Sequence, residues 1–210
     1  MLAIYGSGGF GRELVMPARA ALQRAGRDPG ELTFVDDNRI SAEQTIAEVP
    51  VRILADLQAG DEFILAVGDG KIRQTLERRC MAAGLRPFSL HAEDSLFGID
   101  VEIGDGAVFC PRSMVTASAR IGRQFQCNIY SYVAHDCVVG DYVTFAPGVC
   151  CNGNVRIGDY AYVGTGAVIK QGTPDKPILI GAGAVIGMGA VVTKDVEAGA
   201  VVVGNPARPR

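Results

Sequence analysis

From Phe97 onward, every sixth residue is apolar. The series runs Phe97, Ile103, Phe109, Val115, Ile121, Cys127, Val133, Val139, Phe145, Cys151, Ile157, Val163 and Ile169, and after five extra residues it resumes at Ile180, Ile186 and Val192. In a chain that is 48% apolar, sixteen such matches in one of six frames arise by chance about 5 times in 100,000. The fourth residue after each marker is Val, Ala, Ser, Thr or Cys, with Phe125 the exception. Glycine often follows the marker directly, as at Gly98, Gly122, Gly140, Gly158 and Gly164.

One large and one small inward residue per six suits a short strand followed by a sharp corner. Three such units close a triangular coil, and stacked coils pair backbone over backbone at about 4.8 Å. A globular sheet would alternate with period two through longer strands. The period therefore predicts a parallel β-helix, with residues 91–210 as its domain.

Residues 1–90 follow a different rule. Apolar runs at Leu2–Tyr5, Thr33–Val35 and Phe63–Val67 read as strands. Arg12–Ala25 puts Leu14, Ala18, Leu22 and Ala25 on one helical face, with Pro17 expected to kink that helix or shift its start. Lys71–Ala83 reads as a second helix with Ile72, Leu76, Cys80 and Ala83 inward and Gly84 as its stop. The alternation predicts a small parallel α/β unit, half of a doubly wound fold.

Charge and composition remove several functions. With 20 basic against 23 acidic residues the net charge is −3, and no basic run marks a nucleic-acid binder. No apolar stretch approaches the ~20 residues that span a bilayer. The opening residues lack a secretory signal, and the six cysteines form no C-x-x-C pair. The expectation is a cytoplasmic protein with reduced, mostly buried thiols and no metal.

Gly6-Ser7-Gly8-Gly9-Phe10-Gly11 matches G-x-G-x-x-G between a strand and a helix. Such a turn lets backbone N–H groups face phosphates. Asp36-Asp37 ends the second strand, where carboxylates reach ribose hydroxyls, although Asp36 stands 25 residues after Gly11, beyond the usual ~20. Gly68-Asp69-Gly70 lies at the same strand-end crevice. A glycine turn without a ligand is the plain alternative. A dehydrogenase needs two mononucleotide halves, and the hexads begin before residue 100, so only one nucleotide fits.

The two parts together resemble the bacterial nucleotide-sugar acetyltransferases, hexapeptide-repeat enzymes that modify amino sugars for surface glycans. The resemblance runs the length of the chain. It includes the Tyr5-Gly6 opening, Asp36-Asp37, Ala66-Val67-Gly68-Asp69, hexads such as Ile157-Gly158-Asp159-Tyr160-Ala161-Tyr162, and the closing Gly204-Asn205-Pro206-Ala207-Arg208. It implies a left-handed helix, against the usual right-handed crossover, and a homotrimer. It also implies acetyl-CoA as cosubstrate and a nucleotide-linked amino sugar as acceptor. Gly8, Gly9 and Phe10 then face the phosphates, with Asp36, Asp37 and Gly68 nearby; Phe10 stands where the family can carry a histidine. Thr144, Thr165 and Met188 take the coenzyme positions, and Lys194 and Arg208 are cations in reach of its phosphates. The loop 174–178 either borders the coenzyme or bulges outward.

The chain has two histidines. His91 precedes the hexads and reads as structural. His135, two residues after the marker Val133, points outward; on the residues alone it is a solvated side chain, and the resemblance makes it the catalytic base. An imidazole titrating near ~6.5 can take a proton from an attacking amine. Asp136 would hold the other ring nitrogen, which requires a corner, because neighbours in a strand face opposite ways. The resemblance gives the oxyanion donor as the Gly153 N–H.

The expected reaction is N-acetylation at the 4-amino group of the sugar. The alternatives are O-acetylation of a sugar hydroxyl, such as that of a sialic acid, and a non-catalytic nucleotide-binding scaffold. A zinc carbonic anhydrase on this fold needs three histidines, which the hexads lack.

Overall fold

The computed structural model describes residues 1–37 and 45–210. Its N-terminal part is a sheet of β1 (Leu2–Tyr5), β2 (Leu32–Val35), β3 (Thr45–Ile46), β4 (Val49–Arg52), β5 (Glu62–Leu65) and β6 (Arg86–Pro87) in the order β3-β4-β2-β1-β5-β6. β1, β2, β4, β5 and β6 run parallel, and β3 pairs antiparallel with β4. The short β3 and β4 are absent from the sequence reading, although β4 alternates buried Val49 and Val51 with exposed Pro50 and Arg52.

The first helical stretch starts earlier than expected and breaks. α1 (Gly9–Glu13) ends at Leu14, and α2 (Val15–Arg24) follows with Pro17 in its first turn, where the missing N–H costs little. Val15, Ala18, Ala21 and Leu22 are buried, whereas Ala25 lies beyond the helix and is exposed.

α3 (Gly70–Ala82) corrects a second expectation. Ile72 is 53% exposed, while Arg73 and Glu77 are buried at 0% and 2%. The helix has two covered faces. Cys80 and Leu76 pack on the sheet with Phe63 and Leu85. Arg73 and Glu77 press against the β-helix, which offers polar corners and carbonyls instead of apolar surface. Counting apolar residues alone therefore finds the Leu76–Cys80 face but not the polar one, and wrongly adds Ile72 and Ala83, which are exposed.

From Leu90–His91 the chain winds into a left-handed parallel β-helix, a triangular prism of three sheets. The first sheet holds strands such as Val108–Phe109, Gln126–Cys127, Thr144–Phe145 and Tyr162–Val163. The second holds Leu96–Phe97, Met114–Val115, Tyr132–Val133, Cys150–Cys151, Val168–Ile169 and Val191–Val192. The third holds Val101–Ile103, Ala119–Ile121, Val138–Val139, Val155–Ile157 and Ile178–Ile180. Strands pair in register eighteen residues apart, as in Tyr132 with Cys150 and Val133 with Cys151.

The marker residues fill the prism. From Phe109 to Val192 they are buried, and so are the residues four places on, except Thr173 where the loop leaves the coil. Only Phe97 and Ile103, at the open end, are partly exposed. Full burial of each aliphatic or aromatic marker contributes about 1.5–3 kcal/mol. Phe125, too large for its position by the pattern, stacks edge-on between Phe109 and Phe145, with centroids 5.7 and 5.1 Å away. Glycine follows the marker because coils meet there: a Cβ on Gly98 would lie 1.5 Å from the Thr116 carbonyl oxygen.

Arg73 locks the two parts together. Its guanidinium donates to the carbonyls of Val67 (2.8 Å), Gln124 (3.0 Å) and Val143 (3.1 Å) and to the Thr144 hydroxyl (2.9 Å). Beside it, Glu77 accepts from Arg123, Gln124 and the Tyr142 hydroxyl. This clamp fixes the Gly68 loop against the first sheet.

Candidate active site

His135 and Asp136 share the corner between the Tyr132–Val133 and Val138–Val139 strands. Asp136 has a φ of +57°, a left-handed conformation that reverses the usual alternation of side chains. Its carboxylate swings back to the preceding ring, and Oδ2 lies 2.7 Å from Nδ1 of His135. Both side chains are about half exposed, at 46% and 53%. An ionised carboxylate only accepts, so the neutral ring carries its proton on Nδ1 and leaves Nε2 with a lone pair.

Eighteen residues on, Gly153 occupies the equivalent corner of the next coil. The imidazole rests on its Cα: a Cβ at Gly153 would lie 2.5 Å from both Cε1 and Nε2. The glycine is thus required by contact with the ring. The turn around it is held firmly. Asn154 N–H donates to the His135 carbonyl at 3.0 Å. The Asn152 side chain accepts from the Tyr132 hydroxyl at 3.0 Å and donates to the Ile169 carbonyl at 2.8 Å. His135, Asp136 and Gly153, separate in the sequence reading, form one cluster.

At the N-terminal part, Gly8, Gly9 and Gly68 are exposed at the carboxyl ends of β1 and β5. A Cβ on any of them would meet nothing within 4 Å, so their backbone is open to a ligand. Gly11 serves packing instead, because a Cβ there would strike the Gly6 carbonyl at 1.9 Å. Phe10 packs against the domain core.

The two carboxylates part ways. Asp36 accepts from the Ser7 hydroxyl at 2.5 Å, beside the glycine turn. Asp37 accepts from Tyr5 Oη (2.5 Å), Arg79 (2.5 Å) and the Leu54 amide (3.1 Å). Burial alone would raise the Asp37 carboxyl, but these hydrogen bonds and the Arg79 charge hold it below the usual carboxylate range. Burial and Asp37 in turn push the Tyr5 phenol well up. Asp37 therefore ties strand ends and helix together, an internal use the sequence did not reveal.

Of the coenzyme positions, Thr144 has its side chain engaged within the protein. It is 6% exposed, donates to the Gly68 carbonyl at 2.7 Å and accepts from Arg73, so its hydroxyl belongs to the junction between the two parts. Thr165 and Met188 are exposed and stack on the edge joining the first and second sheets, where Gly189 N–H donates to the Thr165 carbonyl at 2.8 Å. That edge lies across the second sheet from the His135–Gly153 edge.

The loop after Gln171 lies on the His135 edge. With Lys170, Lys176 and Lys194 it borders a cavity of about 580 Å³. The sequence reading singled out Lys194 but missed its two companions, Lys170 one residue past the marker Ile169 and Lys176 in the loop that interrupts the hexads. Among the described residues, no cluster of His, Cys, Asp and Glu could hold a metal, and no helix is long and apolar enough to cross a membrane.

Residues 1–80 match the family described as the PglD N-terminal domain. The chain is 44% identical over 210 residues to GDP-perosamine N-acetyltransferase of Escherichia coli O157:H7, covering 99% of this chain and 95% of that one. It superposes on WeeI from Acinetobacter baumannii AYE with a TM-score of 0.95 at 43% identity, covering 100% of this chain and 99% of that one. On the acetyltransferase domain of PglB from Neisseria gonorrhoeae FA1090, solved with acetyl coenzyme A, the TM-score is 0.87 at 31% identity, with 100% and 98% covered.

Proposed function

Because the chain belongs to the nucleotide-sugar acetyltransferase family, we propose that it acetylates the 4-amino group of a nucleotide-linked amino-deoxysugar, with acetyl-CoA as donor. GDP-perosamine, named for the 44% identical relative, is the first acceptor to test. The product would enter surface glycan synthesis.

The observation that carries this reading is the imidazole lying on Gly153 with its Nδ1 held by Asp136. Nε2 of His135 takes the proton as the amine attacks the thioester carbonyl. Asp136 keeps the productive tautomer and favours the imidazolium that forms. The Gly153 N–H, which no described hydrogen bond uses, donates to the oxyanion. No side chain of the protein is acylated.

The division of labour follows the fold. Residues 1–90 would hold the nucleotide through the exposed backbone at Gly8, Gly9 and Gly68, with Asp36 beside it. Residues 91–210 would carry the chemistry. Lys170, Lys176 and Lys194 line a cavity farther along the His135 edge, a cationic place for coenzyme phosphates.

A homotrimer completes the site in this reading. The outward column of the second sheet is Leu96, Met114, Tyr132, Cys150, Val168 and Val191, all apolar and none fully buried. The outward column of the third sheet mixes Glu102, Arg120 and Arg156 with Val138 and Leu179, and the first sheet is covered by the N-terminal part at Val108, Gln126 and Thr144. Pairing the second sheets around a threefold axis brings the His135 edge of one protomer toward the Thr165–Met188 edge of the next. Met188, apolar and 80% exposed, then lines the coenzyme groove. Six free cysteines suit the cytoplasm, where thiols stay reduced.

The test is release of free CoA from acetyl-CoA in the presence of GDP-perosamine, with sedimentation to measure assembly. Turnover by a trimer supports the proposal; a monomer that turns over at full rate removes the shared groove.

A further inference from the structure

We propose that Cys137 is a positioning residue for acetyl transfer: its buried thiol sets the direction in which the Gly153 N–H points. The inference rests on the acetyltransferase reading above.

Cys137 is fully buried, at the small inward position that follows the His135–Asp136 corner. Its Sγ lies 3.2 Å from the Asn152 carbonyl oxygen and 3.6 Å from that of His135.

Some corners of the prism close on themselves and others do not. Ala167 N–H donates to Gly164 O at 3.1 Å, Ala184 to Gly181 at 3.1 Å and Ala190 to Gly187 at 3.2 Å. At the Gly153 corner the corresponding pair would be Val155 N–H and Asn152 O. There the Asn152 carbonyl takes the Cys137 thiol instead, at 3.2 Å.

The consequence is geometric. In a planar trans peptide the C=O and N–H point in opposite directions. Drawing the Asn152 carbonyl inward to Cys137 turns the Gly153 N–H outward, to the side where the His135 ring lies. The second thiol contact, from Cys151 Sγ to the same carbonyl at 3.8 Å, pulls the same way. Asn152 fixes the turn through its side chain, whereas Cys137 acts on the plane of the peptide that carries the donor.

Losing one oxyanion donor outright costs a factor of about 10²–10³ in rate; misdirecting it costs less. In Cys137→Ala the Asn152 carbonyl loses its inward donor and the Asn152–Gly153 peptide is free to rotate. We expect kcat to fall about tenfold, with both KM values within twofold of wild type and the midpoint of the pH–rate profile unchanged. Cys137→Ser, whose hydroxyl donates and accepts in the same place, should restore kcat to within about threefold. A kcat for Cys137→Ala within twofold of wild type overturns the proposal, as does a serine variant as slow as the alanine.

His135→Ala, assayed alongside, separates the two readings: if it keeps full turnover, the acetyltransferase mechanism fails whatever Cys137 does. A crystal structure of the full-length Cys137→Ala protein reads the proposal without any turnover. A rotated Asn152–Gly153 peptide supports it, and an unchanged one overturns it.

Discussion

Nδ1 of His135 and Oδ2 of Asp136 are 2.7 Å apart although the residues are neighbours in sequence. An extended strand would send them to opposite faces; the left-handed backbone at Asp136 brings them together. Asp136→Asn should lower kcat about 10- to 100-fold with little change in KM, since the amide no longer enforces one tautomer. The pair is half exposed, so the loss should stay below that of a buried triad. Steady-state kinetics check this; unchanged kcat would make the contact incidental.

Gly153→Ala places a methyl where the imidazole lies, 2.5 Å from Cε1 and Nε2. The half-exposed ring can swing out to solvent, so the fold should survive with a nearly unchanged Tm. Activity should fall about 100-fold or more, because the base leaves its working position. Kinetics paired with thermal unfolding distinguish this from simple destabilisation.

Arg73→Met tests the clamp between the two parts. Burial pushes the guanidinium down to about 10, against the raising influence of Asp69, Tyr142 and Glu77, so it remains charged at neutral pH. Removing it strands the Val67, Gln124 and Val143 carbonyls and leaves Glu77 short of a nearby cation, a loss of about 3–5 kcal/mol. Denaturant unfolding should show that loss, and KM for the nucleotide sugar should rise as the Gly68 loop loosens. A stability within 1 kcal/mol of wild type would contradict the clamp.

His91 gives the protein a pH-dependent weakness at the open end of the prism. Its ring packs 4.8 Å from Phe97 and 5.4 Å from Phe109, and Nε2 is buried without a partner. Burial, with the Arg24 charge, lowers its pKa. The unfolded chain therefore binds the proton more readily. The stabilising contribution is complete above about pH 6.5 and is lost as pH falls below it toward the folded value. His91→Phe should flatten the decline in Tm between neutral pH and pH ~5.5; identical slopes in variant and wild type would contradict this.

Much of this architecture could be read in advance because the hexad reports packing directly. Each marker from Phe109 to Val192 lies inside the prism, and a six-residue period has few other geometric solutions. The N-terminal part was less legible where polar groups do the packing. Arg73 and Glu77 give no apolar signal, so the second covered face of α3 is invisible in the sequence, as are the bonds of Asp37 to Tyr5 and Arg79, which are distant along the chain. His135 and Asp136 were recognisable as a motif, whereas the contact of the ring with Gly153 follows from the eighteen-residue coil. The junction role of the Thr144 hydroxyl is hidden for the same reason as that of Arg73: its hydrogen-bond partners sit in the other part of the chain.

The most direct test of the whole account is thiol release from acetyl-CoA with GDP-perosamine, compared between wild type and His135→Ala under saturating substrates. The account predicts steady turnover by wild type, with a product heavier by one acetyl group on nitrogen, and a loss of about 10²–10⁴ in kcat for the variant at unchanged Tm. A folded His135→Ala protein that turns over at the wild-type rate, or a product acetylated on a hydroxyl, would contradict it.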